Sequence, residues 1–112
     1  MADANNGKIM TQAEKTQLIL NKGCEYLGIT RDQLLEGLGS KSKIWDKKRF
    51  LIPILYDYTI CNYSDIAFYL GYKTHSNVIY HLNLIKDELS VDVYGSEKTK
   101  QVYKELLSYL NL

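Results

Sequence analysis

A case for nucleophilic or metal chemistry would rest on His75, His81, Cys24 and Cys61, with Ser76 beside the first. Both histidines fall in YLGYKTHSNVIYHL, residues 69–82. A zinc site on one helix face wants ligands four apart, whereas residues six apart differ by about 240° around the axis. The two imidazoles therefore point to different sides and cannot share an ion. The cysteines lack CxxC spacing and sit among apolar residues, as small core side chains do. His75 has Ser76 beside it but no local carboxylate to complete a nucleophilic constellation. No GxxxxGK phosphate loop occurs. The expectation is of no catalytic residue, metal, cofactor or small-molecule substrate, and hence no enzyme.

The same residues suit a different task. Lys73, Thr74, His75 and Ser76 are hydrogen-bonding types of moderate length, matched to base edges in a major groove that admits one helix. They are free for it if Val78, Leu82, Ile85 and Leu89, spaced four, three and four, turn inward. A helix-turn-helix also needs a small residue at the helix crossing, a glycine in the turn and an apolar anchor beyond it. Ala67, Gly71 and Val78 fill those roles, with Val78 one residue later than usual, which implies a turn longer by one. The plainer reading makes Thr74 a helix cap and His75 a solvated polar residue. Upstream, KSKIWDKKR at residues 41–49 holds five of the fourteen basic residues and one acid, and reads as a basic loop able to hold phosphate.

Helices must position these groups. Thr11 with Glu14 three residues on forms a capping pair for a first helix carrying Leu18, Leu20, Cys24 and Leu27, which Gly28 stops. Thr30 opens a short second helix, RDQLLE, with Leu34 and Leu35 inward. Asp46 can cap a third carrying Phe50, Leu51, Ile54, Leu55 and Tyr58. Pro53 inside it predicts a kink, or a start later than Asp46. Ser64 opens DIAFYL, Gly71 closes it, and Thr74 opens the next helix. A closing helix runs from Ser96 through Val102, Leu106, Leu107 and Leu110. The class is all-α with about six helices, residues 1–10 being a flexible arm and 11–112 one domain.

At 112 residues, 46% hydrophobic and 24% charged, the chain matches one ordinary globular domain. No apolar run reaches the roughly 18 residues of a membrane span, and the start MADANNGKIM lacks the apolar core of a secretory signal. A cytoplasmic, nucleoid-associated protein with no membrane partner is expected. The net charge of +1 decides nothing about partners, so the local charge distribution must.

EYLGITRDQLL at residues 25–35, the basic segment, a central helix, SDIAFYLGY at 64–72 and KTHSNV at 73–78 occur in an order and spacing similar to one known family. The chain resembles the C-terminal DNA-binding domain, domain IV, of the bacterial replication initiator DnaA, in the Trp repressor-like helix-turn-helix group. The resemblance spans about residues 11–110. It implies base contacts from Lys73, Thr74, His75 and Ser76, where the family carries Arg, Asp, His and a hydroxyl residue. It further implies backbone contacts from Lys41, Lys43, Lys48, Arg49, Tyr63, Ser64, Asn77 and Tyr80. The family's aspartate is replaced by Thr74, and its minor-groove arginine by Ser40 or Lys41, which implies a different DNA site or weaker specificity. No ATPase part is present in this sequence, so the implied role is a small regulator or a replication or mobile-element accessory. The alternative is a helical protein-interaction module, with Tyr63, Tyr69, Tyr72 and Tyr80 as a sticky surface and the basic loop meeting an acidic partner. Oligomeric state is not legible.

Overall fold

Thr11 accepts from the Glu14 amide while the Glu14 carboxylate accepts from the Thr11 amide, so helix α1 (Gln12–Leu27) starts on a reciprocal capping box. Gly28, at φ 73°, ends it in the left-handed conformation. The computed structural model describes residues 10–36, 43–90 and 96–112. These form seven helices and no strand. After α1 come α2 (Arg31–Leu35), α3 (Lys43–Lys48), α4 (Leu51–Tyr58), α5 (Tyr63–Leu70), α6 (His75–Ser90) and α7 (Ser96–Tyr109). The all-α class is as expected, and the extra helix arises because the segment around residues 43–58 is broken in two. Among the described residues no helix is long and apolar enough to cross a membrane. The arm at 1–9 lies outside the described residues.

Proline explains the break. Pro53 has no amide hydrogen to donate to the Arg49 carbonyl four residues back, and its ring crowds that position. The Arg49 carbonyl accepts instead from Ile52 at 3.2 Å. Pro53 thus occupies the first turn of α4, where amides lack intrahelical partners anyway. The Asp46 cap is corrected: Asp46 lies inside α3, and α4 follows Phe50 with no side-chain cap. The α5 start is corrected too. Asn62, two residues ahead of Ser64, is the cap, accepting from the Asp65 amide in a capping box.

The core is built from Ile19 and Leu20 of α1, Leu34 of α2, Leu51, Ile52, Ile54 and Leu55 of α4, Ile66 and Leu70 of α5, Val78 and Ile85 of α6, and Leu106 of α7. Each fully buried aliphatic side chain contributes about 1.5–3 kcal/mol relative to exposure. Leu89, Val102 and Leu107 are half-buried at the margin, as are Leu18 and Tyr58. Leu35 departs from expectation. It points outward at 54% exposed, because a five-residue helix turns only one of its two adjacent leucines inward. Cys24 is buried and Cys61 half-buried beside Thr16, and both are free thiols.

The ends of α2 and α5 meet backbone to backbone. Gly71 has φ 72°, and a Cβ placed there would lie 2.6 Å from the Leu35 carbonyl oxygen and 2.7 Å from its Cα. Only glycine satisfies both the left-handed conformation and that approach. The turn amides pair internally: those of Gly71 and Tyr72 both donate to the Ala67 carbonyl.

Candidate nucleic-acid interface

Residues 71–74 link α5 to α6 and set the direction in which α6 starts. Val78, Leu82 and Ile85 hold α6 to the core, at 0%, 4% and 0% exposed. The preceding residues Lys73, Thr74, His75, Ser76 and Asn77 are all exposed. The four expected base-reading residues are therefore brought together on one open surface. They line a concavity of about 580 Å³ between the α5 and α6 ends, whose other walls are Ser64, Ala67, Phe68 and Tyr72. Among the described residues no carboxylate lines it, and Lys73 brings a positive charge.

The residues expected on the DNA backbone divide. Lys43, Ser64, Asn77 and Tyr80 are exposed, Tyr80 at 59%. Tyr63 is half-buried, its ring stacked on Tyr56 at 5.3 Å. Lys41 and Ser40 lie outside the described residues. Two expectations are corrected. Lys48 is 1% exposed and donates to the carbonyls of Leu70 at 2.8 Å, Leu34 at 3.2 Å and Glu36 at 3.4 Å. Its ammonium binds the negative carbonyl ends of α2 and α5 together, so it is not available to a phosphate. Arg49 is engaged as well, donating to Glu88 at 3.1 Å across to α6, with Thr99 donating to the other Glu88 oxygen at 2.7 Å. Over its described part the expected basic loop is the helix α3 followed by Arg49. Of its described cations, Lys43 is exposed and Lys47 half-buried.

Behind the exposed row lies an aromatic and basic cluster. The Lys48 ammonium sits 4.6 Å from the Tyr72 ring centre. His81 is 4% exposed, with Trp45 edge-on at 4.3 Å, Tyr80 at 5.2 Å and Tyr72 at 5.5 Å. The imidazoles of His75 and His81 thus face solvent and interior respectively. Burial holds the His81 pKa below that of a free imidazole, and the nearby Arg49 and Lys48 charges push the same way against Asp46. Burial likewise lowers the Lys48 pKa and raises that of Tyr72. Among the described residues the Tyr72 hydroxyl and His81 Nδ1 have no hydrogen-bond partner. Of the four tyrosines offered as a sticky surface, Tyr72 is buried, Tyr63 and Tyr69 are half-buried, and Tyr80 is exposed.

Phe68 is the groove residue that sequence reasoning passed over. It is 77% exposed although it stands in the apolar run IAFYL. Ile66, Ala67 and Leu70 are buried, and a helical wheel drawn through them leaves residue 68 outside. That placement was readable, but the run of apolar letters concealed it. Among the described residues no three histidine, cysteine, aspartate or glutamate side chains converge into a metal-holding group. No family model, curated protein or solved structure matches this chain.

Proposed function

We propose that this chain binds double-stranded DNA, with α5 and α6 acting as a helix-turn-helix and the start of α6 entering the major groove, as the resemblance to DnaA domain IV implies. The observation that carries the reading is the exposed run 73–77 on a concavity that no carboxylate among the described residues lines, held immediately ahead of the buried anchor Val78. Such a run offers donors and acceptors to base edges, while the positive end of the α6 dipole favours phosphate. Lys73, His75 and Ser76 read bases in this account, with Thr74 beside them. Lys43, Ser64, Asn77 and Tyr80 meet the backbone.

The electrostatic share is smaller than the basic segment suggests. With Lys48 internal and Arg49 held by Glu88, about three phosphates are neutralised rather than one for each of the five cations in residues 41–49. A small regulator or an accessory of replication or of a mobile element fits a domain of this size. The alternative, a tyrosine-rich protein-interaction surface, has less support because Tyr80 is the exposed member of its four.

Selection of bound duplexes from a random pool tests the proposal. Enrichment of a common sequence by the wild-type protein, relaxed in His75→Ala, supports it. Recovery of no duplex above background by the folded wild-type protein would overturn it.

A further inference from the structure

Phe68 places a large apolar ring in water, in the wall of the same concavity as Lys73, His75 and Ser76. Scattered exposed hydrophobic residues are ordinary on protein surfaces. This one differs in its setting. It stands four residues after Ser64 and so shares that face of α5, and both residues line the concavity into which the hydrogen-bonding row opens. Tyr69 stands against its ring at 5.6 Å and 71°, which restrains the side chain without covering it. The concavity is therefore mixed, more apolar than polar, with the Lys73 ammonium and, among the described residues, no carboxylate in its lining.

We infer that Phe68 is a specificity-determining side chain that packs on the C5-methyl group of a thymine in the major groove. The inference rests on the proposed DNA-binding reading and adds a ligand feature to it. In a paired duplex the base faces are stacked and closed to a side chain. The groove presents edges, and the apolar group on those edges is the thymine methyl. A phenyl ring cannot hydrogen-bond to guanine, adenine or cytosine edges, so its position in the wall selects for methyl-bearing base pairs. Covering Phe68 with such an edge also removes from water a ring that the folded protein leaves exposed.

Methyl deletion on the DNA provides the test. Each thymine of the selected duplex is replaced in turn by deoxyuridine, and the Kd of every duplex is measured with wild-type protein and with Phe68→Ala. At one thymine, uracil weakens wild-type binding about fourfold, the value of one buried methyl group, and leaves Phe68→Ala unchanged. Restoring a methyl with 5-methylcytosine paired to guanine at that position retains part of the wild-type affinity and again is not sensed by the variant. Because Phe68 is 77% exposed, its truncation leaves the melting temperature unaltered, so lost discrimination cannot be ascribed to unfolding. Uracil effects equal in both proteins, a selected sequence without thymine, or tighter binding of single strands than of duplex would each overturn the inference while leaving nucleic-acid binding intact. Failure to bind any DNA would overturn the proposed function and this inference together.

Discussion

Replacing Lys48 with methionine keeps an unbranched stem of similar length and removes the ammonium that joins two helix ends. Three hydrogen bonds disappear, to the carbonyls of Leu70, Leu34 and Glu36. The bonds to Leu70 and Leu34 are buried, and a buried carbonyl left without a donor costs about 1–3 kcal/mol. Against this, the variant no longer holds a charged group out of water, which recovers part of the loss. The net destabilisation is about 2–4 kcal/mol, or a fall in Tm of about 10–25 °C for a domain of this length. Thermal unfolding followed by circular dichroism measures it. DNA titrations below the variant's Tm separate structure from contact: affinity falls for all duplexes, because the Leu70 carbonyl beside the Gly71 turn is no longer fixed, while the slope of log K against log salt is unchanged. A Tm within about 2 °C of wild type, together with a slope reduced by about one, would show Lys48 reaching a phosphate and refute this reasoning.

Other substitutions probe the turn, the caps and the buried imidazole. Gly71→Ala meets both the left-handed penalty and the Leu35 backbone, and is expected to cost at least about 2 kcal/mol, read as a lowered urea midpoint. A midpoint equal to wild type would contradict the close approach. Asn62→Ala removes the α5 cap and lowers stability by about 1 kcal/mol, whereas Ser64→Ala changes stability little and acts on DNA affinity. For His81 the folded pKa lies below the unfolded value near 6.5, so the unfolded chain takes up the proton first. Stability therefore declines as pH falls through about 6.5 and levels off below the folded pKa, and His81→Phe flattens that part of the profile. An identical pH profile in the variant would exclude His81 as the cause. Lys43→Ala reduces the salt slope by about one without changing Tm, and an unaltered slope would remove Lys43 from the phosphate contacts.

Features encoded within a few residues of themselves were legible in the sequence. Thr11 with Glu14 and Thr30 with Gln33 start helices, and the glycines at 28 and 71 end them, each as its residue type requires. The same kind of signal existed at α5, where Asn62 and Asp65 are three apart. Ser64, an equally good capping type two residues later, drew the start away from it. The exposed row at 73–77 could be read because four-three-four spacing after it fixes which face turns inward.

The fate of the basic segment was not legible, because it depends on elements far apart in the chain. Whether Lys48 meets phosphate or protein is settled by the ends of α2 and α5, 14 and 22 residues away, whose carbonyls converge on it. Its neighbours Lys47 and Arg49 carry the same charge in different surroundings, and Arg49 is matched by Glu88, 39 residues on. Charge density along the sequence overstates charge density on the surface whenever a cation serves as an internal helix tie. His81 illustrates the converse: its position six after His75 correctly separated the two imidazoles, but its partners Trp45 and Tyr72 come from elsewhere in the fold.

A salt titration of duplex binding, followed by fluorescence anisotropy from 50 to 300 mM salt, bears most directly on the account. Neutralisation of about three phosphates gives a line of slope near −3 in log K against log salt, shallower in Lys43→Ala by about one. Absence of duplex binding by the folded protein at the lowest salt, or a slope near zero, would contradict it.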